Sequence, residues 1–276
     1  MGDRNKKPMT PQESLLFYTH YPWEGWQAPF QIAPDLYYVS GNEWVSSYLL
    51  DSGEGLIIID VPLQESLYLL TESIRQLGFD PREIKMILLS HAHLDHCGGL
   101  KALAAYSGAK IYMSREDWQF MTGRPELLTK GEYYCGAFEP DFFYADQTPI
   151  TLDGLSIQTR LTAGHTPGTT SFFFTVGAND KENGYRCGLH GGVGTNTLSN
   201  DYFTHTGMPA SLREQFINGL IEMEGMEIDI TIPSHAEQIP FLELVKDISP
   251  DHNPFVDPCK WGNLMRSCRK AAEALI

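Results

Sequence analysis

Three imidazoles and a carboxylate fall within six residues in the run Ser90-His91-Ala92-His93-Leu94-Asp95-His96-Cys97-Gly98-Gly99. Packing does not account for such a cluster, because buried polar groups need partners and exposed histidines gain nothing by crowding. Metal coordination does, since imidazole nitrogen and carboxylate oxygen are ready zinc donors. In an extended or turning stretch His91 and His93 point the same way and can grip one ion, while Asp95 and His96 swing toward a neighbouring position. The run therefore predicts two adjacent metal positions.

Two further histidines extend the donor set. Ala163-Gly164-His165-Thr166-Pro167-Gly168 offers one in a tight turn whose glycines admit close backbone approach. Ile228-Asp229-Ile230-Thr231-Ile232-Pro233-Ser234-His235 reads as a strand that ends on the other. His91, His93 and His165 are expected to hold one zinc through three nitrogens, leaving a position for water, as in catalytic sites. Asp95, His96 and His235 are expected to hold the second. Two zinc ions close together can lower the pKa of a shared water toward neutrality and polarise a carbonyl. No Gly-x-Ser-x-Gly element offers a competing nucleophile.

The elements that must position these side chains are short. Lys85-Met86-Ile87-Leu88-Leu89 is an apolar run of the buried-strand type, and Leu100-Lys101-Ala102-Leu103-Ala104-Ala105 is good helix sequence, so the histidine run sits between a strand end and a helix. Strands are expected over 36–39, 46–50, 55–60, 84–89 and 110–113, and again over 150–152, 155–159, 170–176, 185–189 and 228–232. Helices are expected over 65–77, 99–106, 211–224 with Ser211 as cap, and 258–275. Two sheets covered by outer helices satisfy that pattern. Residues 121–144 lack periodicity and read as an insertion loop over a site.

The chain has 276 residues, enough for a sizeable core. No short-period repeat or low-complexity tract appears; residues 1–20 read as an N-terminal extension and 21–276 as a single domain. A formal net charge of −15 disfavours nucleic acid and anionic membrane as partners and leaves a small molecule as the expected one. No apolar stretch reaches the ~18 residues of a membrane helix. The polar start Met1 to Lys7 lacks the apolar centre of a secretory signal. A cytoplasmic protein is the expectation as written, or a periplasmic or secreted one if a leader has been removed. The five cysteines, Cys97, Cys135, Cys187, Cys259 and Cys268, form no C-x-x-C pair and read as small buried side chains.

The assembled set resembles the metallo-β-lactamase superfamily, whose H-x-H-x-D-H signature stands here as His91 to His96. That resemblance implies an α/β fold of the αββα sandwich type, two mixed sheets with helices on the outer faces. It also implies two zinc ions at the sheet edge and hydrolysis by a metal-bound hydroxide that Asp95 orients, Asp95 then passing a proton to the leaving nitrogen. The stretch Tyr185 to Asn196 lacks the Asp that bridges the metals in most of the superfamily's hydrolases. In this the chain is similar to the subclass B3 metallo-β-lactamases. Trp23 to Phe30 with Leu36 to Val39, Leu77 to Ile84, and Asn253 to Pro258 resemble other segments of that subclass. The resemblance implies a monomer or small homo-oligomer that opens a β-lactam and confers antibiotic resistance, with Trp26, Gly191 and Gly192 against the substrate. His190-Gly191-Gly192 stands where the subclass usually has an Asp-Ser pair, so His190 is expected either as an extra ligand or proton carrier in catalysis, or as a strand-end residue turned outward. The alternative is a metallo-hydrolase of the same fold acting on a lactone, thioester or acyl-amino acid. A flavodiiron-type redox role is disfavoured, because Ala92 and Leu94 supply no extra acidic ligands.

Overall fold

The strand sequences carry two apolar faces where ordinary surface strands carry one. In a computed structural model of the protein, which describes residues 9–128, 136–146, 148–178 and 184–276, those two faces are buried in two different cores. The first sheet runs in sequence order through seven strands: β1 (Phe30–Ala33), β2 (Leu36–Tyr38), β3 (Tyr48–Asp51), β4 (Leu56–Ile59), β5 (Ile84–Leu88), β6 (Lys110–Met113) and β7 (Phe142–Phe143). Pairing is antiparallel from β1 to β4 and parallel from β4 to β7. The second sheet holds β8 (Ile150–Leu152), β9 (Leu155–Leu161), β10 (Thr170–Val176), β11 (Tyr185–Leu189) and β12 (Ile230–Thr231) in the order β12-β11-β10-β9-β8. Only its β11–β12 pair is parallel. Both sheets are therefore mixed.

Alternation along β4 explains the layering. Ile57 and Ile59 join Leu88, Phe172, Phe174 and Ile230 between the sheets, while Leu56 and Ile58 face the opposite way. On that outer face they meet Leu70 and Ile74 of α2 (Leu67–Gln76), following α1 (Pro11–His20), which packs elsewhere. Two short helices come next, α3 (Leu94–Cys97) and α4 (Leu100–Ser107), then α5 (Arg115–Gly123). Leu100, Leu103 and Phe120 complete the outer cluster. Beyond α6 (Asn200–Thr206), α7 (Ser211–Glu224) and α8 (Pro258–Glu273) cover the second sheet with Phe216, Leu220, Trp261 and Leu264. The expected αββα sandwich is the observed fold.

Several local readings change. Helix α7 spans the expected residues, but Ser211 is not its cap: Leu212 N–H bonds to the Pro209 carbonyl, Ala210 holds the cap position and makes no side-chain bond, and Ser211 is already helical. Within the expected insertion loop, residues 121–123 end α5 and Phe142–Phe143 pair with β6; residues 129–135 lie outside the described residues. Residues 11–20, inside the expected extension, form α1, capped by a reciprocal Thr10–Glu13 box, and Tyr18 packs with Trp44, Val45, Leu63 and Leu94. Of the cysteines, Cys97 and Cys187 are buried and Cys259 is exposed, since it sits on the outer face of α8; Cys135 lies outside the described residues.

Trp261 ties α8 to the rest. Its indole N–H donates to the Met223 carbonyl at 2.8 Å, and its ring meets Phe173 edge to face at 5.6 Å. Trp261→Ala is expected to lower the free energy of unfolding by about 3–5 kcal/mol, the usual cost of deleting a buried aromatic. Urea unfolding followed by circular dichroism measures it; a loss below about 1 kcal/mol would mean that α8 contributes little to the fold.

Candidate metal centre

Every segment bearing a predicted ligand leaves the sandwich at one edge. β5 runs into Ser90-His91, the turn between β9 and β10 carries His165, and β12 leads through Pro233-Ser234 to His235. Val45 bridges to His235, and Ser46 N–H bonds to the Ser234 carbonyl at 3.0 Å, which stitches the sheets together at that edge. Asp95 and His96 lie on α3, a single turn, where the sequence reading expected loop. That turn brings His96 beside His91, their ring centroids 4.1 Å apart, and sets Asp95 and His96 toward His235.

Two trios result. His91, His93 and His165 form one, and Asp95, His96 and His235 the other, each with its donor atoms within 4.8 Å of one another. His93 Nδ1 lies 3.0 Å from His165 Nε2, and His96 Nε2 lies 3.1 Å from His235 Nε2. Asp95 Oδ2 stands 3.4 Å from His235 Nε2 and 3.6 Å from His96 Nε2. No second carboxylate joins either trio among the described residues, in line with the missing bridging Asp.

Hydrogen bonds behind the rings decide which nitrogen faces inward. His96 Nδ1 donates to Asp60 at 2.8 Å, and His165 Nδ1 donates to the Gly194 carbonyl at 2.8 Å. Ser90 Oγ donates to Asp60 at 2.6 Å and so is left to accept from His91 Nδ1 at 3.0 Å. His91 Nε2 is then a buried lone pair with no hydrogen-bond partner. A buried unpaired acceptor costs about 1–3 kcal/mol. A cation removes that penalty, so the residues fit zinc.

Electrostatics point the same way. Burial pushes the pKa values of His91 and His165 well below the ordinary histidine range, and neighbouring imidazoles push further; burial takes His93 down to about 4. These rings are neutral at pH 7, as ligands must be. Burial alone would raise the Asp95 carboxyl, but His96 and His235 beside it hold it well below the usual carboxylate range. For His96, burial is outweighed by Asp95 and Asp60, and its pKa rises.

Two buried carboxylates that sequence reading missed support the ligands. Asp60 ends β4 in a left-handed conformation, φ 61°, which Asp tolerates better than bulkier residues, and accepts from Ser90 N–H, Ser90 Oγ and His96. Asp117, in the first turn of α5, accepts from Ala92 N–H, Thr166 Oγ1 and Gly168 N–H. Burial pushes the Asp117 carboxyl up to about 6, against those three bonds, and it is ionised at pH 7. The Ser114-x-x-Asp117 pattern signals a helix start, yet says nothing of this reach.

A cavity of about 780 Å³ opens over both trios, bounded by Trp44, Leu94, Val193, Tyr202 and Leu264 among others. Gly192 is on its wall, and a Cβ there would lie 2.7 Å from His165 Cδ2. Three expectations are corrected. Trp26 is exposed beyond a 3-10 turn (Pro22–Gly25) and lies off the cavity; Trp44, 5.5 Å from the His235 ring, is the tryptophan at the site. Gly191 also lies off the wall, because its backbone is pressed against the Thr170 carbonyl in a space that admits no side chain. His190 neither joins a trio nor turns outward: the ring is 3% exposed, meets Phe216 edge to face, and accepts from Gly192 N–H at 3.2 Å.

A sequence profile of the Metallo-beta-lactamase superfamily matches residues 43–235, which span both trios. The chain belongs to the metallo-beta-lactamase superfamily. Enzymes of this fold act on small molecules, and zinc is the typical ion of the superfamily. Its fold is similar to that of BJP-1, a subclass B3 metallo-beta-lactamase of Bradyrhizobium japonicum, with a TM-score of 0.80 and 24% identity over 91% of this chain and 94% of that one. A metallo-beta-lactamase from Cronobacter sakazakii is 27% identical with a TM-score of 0.78, covering 90% of this chain and 97% of that chain. Curated relatives differ in stated activity. Hydroxyacylglutathione hydrolase GloC of Haemophilus influenzae is 35% identical over 32% of this chain and 43% of that protein, and N-acyl homoserine lactonase AttM of Agrobacterium fabrum is 30% identical over 37% and 40%. The chain spans about half the length, or less, of the curated relatives it matches.

Burial of His190 has a consequence for acid stability. Its pKa in the fold is pushed down to about 3, against about 6.5 when unfolded. Between those values the unfolded chain binds a proton that the folded chain lacks, so stability falls as pH falls, by up to about 1.4 kcal/mol per pH unit. His190→Asn, which keeps an acceptor for Gly192 N–H, is expected to flatten that slope in urea unfolding at pH 7, 6 and 5. An unchanged slope would mean that the imidazole is already protonated in the fold.

Proposed function

We propose that this chain is a di-zinc hydrolase that opens a cyclic amide of the β-lactam type, with His91, His93 and His165 at one ion and Asp95, His96 and His235 at the other. The observation that carries this reading is the pairing of a three-histidine trio with an Asp-His-His trio, with no carboxylate shared between them among the described residues. When bound, zinc supplies Lewis acidity and ionises water near neutral pH. Asp95, ionised and 16% exposed at its side chain, accepts a hydrogen bond from the attacking water and so orients it. Asp60 and Ser90 hold His96 and His91 in the tautomers that present Nε2, and the close backbone of Gly192 keeps His165 in place.

A second reading, a lactone or thioester carrying an apolar acyl group, is favoured by the cavity wall. Leu15 and Leu16 of α1, Leu127, Leu128 and Leu264 line it with apolar surface. An alkyl chain buried there gains about 0.8 kcal/mol per methylene.

The two readings separate in one assay. Zinc-loaded protein is to be offered nitrocefin, a carbapenem and a series of acyl-homoserine lactones, with and without chelator. Chelator-sensitive turnover of the β-lactams supports the first reading, and lactone turnover rising with acyl length supports the second. Asp95→Asn is expected to lower kcat by about 100-fold or more. Protein that binds two zincs yet cleaves none of these substrates would overturn both.

A further inference from the structure

All three members of the three-histidine trio sit next to residues that one carboxylate holds. Ala92, between His91 and His93, donates its N–H to Asp117 Oδ2 at 2.8 Å. Thr166, the residue after His165, donates its hydroxyl to the same oxygen at 2.8 Å. Gly168, at the end of that turn, donates its N–H to Asp117 Oδ1 at 2.6 Å. These loops are 72 residues apart in sequence at His93 and His165, and Asp117 belongs to neither.

We propose that Asp117 is a positioning residue for the three-histidine ligand set, a buried clamp that fixes the spacing of the His91–His93 segment against the His165 turn. The inference rests on the reading of those histidines as zinc ligands. Helix α5 supplies the rigid mount, with Ser114 accepting from Asp117 N–H at 3.2 Å at its cap. Ser114 Oγ also donates to the Gly168 carbonyl at 2.7 Å, so the helix start grips Gly168 through both its N–H and its C=O. Any side chain at Gly168 would collide with Ser114 and with the Asp117 backbone. Ala92 faces the outer core beside Cys97, which sends the His91 and His93 side chains the other way.

The donor chemistry requires a carboxylate. All three contacts are donated to Asp117, and Thr169 satisfies the Thr166 hydroxyl oxygen at 2.8 Å and accepts Thr166 N–H at 2.9 Å. An amide at position 117 keeps one acceptor oxygen and turns an N–H₂ against a donor. The Asp-His-His trio has its own support in Asp60, which bonds His96 directly. The clamp therefore acts on one metal position and spares the other.

The test measures zinc affinity by competition with a chromophoric chelator on the full chain, one position at a time: a His235→Ala background leaves the three-histidine trio, and a His165→Ala background leaves the other. Asp117→Ala is expected to weaken zinc binding about 10- to 100-fold in the first background and to leave the second at its parent affinity, with Asp117→Asn intermediate. Leu103→Ala, a core truncation in α4 away from the clamp, controls for lost stability and is expected to leave both affinities unchanged. Equal weakening in the two backgrounds, no weakening in either, or the same pattern from Leu103→Ala overturns the proposal. If Asp117→Ala does not fold, Asp117→Asn carries the comparison, and failure of both to fold shows a general structural role and overturns it too.

Discussion

Six donor atoms with lone pairs aimed at two points are the constraint on which this structure depends. His91 Nε2 is left unpaired, and burial disfavours a proton on His91, His93 and His165. The fold holds them by placing an acceptor behind each inward-facing ring it must orient: Asp60 behind His96, Ser90 backed by Asp60 behind His91, and the Gly194 carbonyl behind His165. Since Asp60 ends β4 and Gly194 follows β11, both sheets must end at the same edge for the site to exist.

The sandwich supplies that edge through strands buried on both faces. β4 feeds Ile57 and Ile59 to the core between the sheets and Leu56 and Ile58 to the core under α2, and then stops at Asp60 in a conformation that breaks the strand. The same arrangement at β5 delivers Ser90 and His91. Apolar packing thus fixes where the chain leaves the sheets, and the polar groups begin where the packing ends.

Floor and walls of the cavity have separate origins. The floor is the two trios, drawn from segments that leave the strand ends. The walls come from α1, the segment around Leu127, the turn after β11 and α8, which lie far apart in sequence. Walls and floor can therefore vary separately, and the proteins this chain is similar to carry names as different as hydroxyacylglutathione hydrolase, N-acyl homoserine lactonase and metallo-beta-lactamase.

Much of this was legible in the chain alone. The spacing of His91, His93, Asp95 and His96, with His165 and His235 after strand-like runs, was enough to sort the six donors into the two trios, because donor type and period-2 alternation act locally. The sandwich was legible from its apolar strand runs for the same reason. Helix α1, the site tryptophan Trp44 and the buried turn of His190 against Phe216 were not, because each depends on what lies opposite in space. Asp117 shows the division most sharply. Its neighbours Ser114 to Trp118 announce only a helix start; that its carboxylate meets Ala92, Thr166 and Gly168 was decided by tertiary packing, since hydrogen bonds between segments exist only once the sheets have brought those segments together.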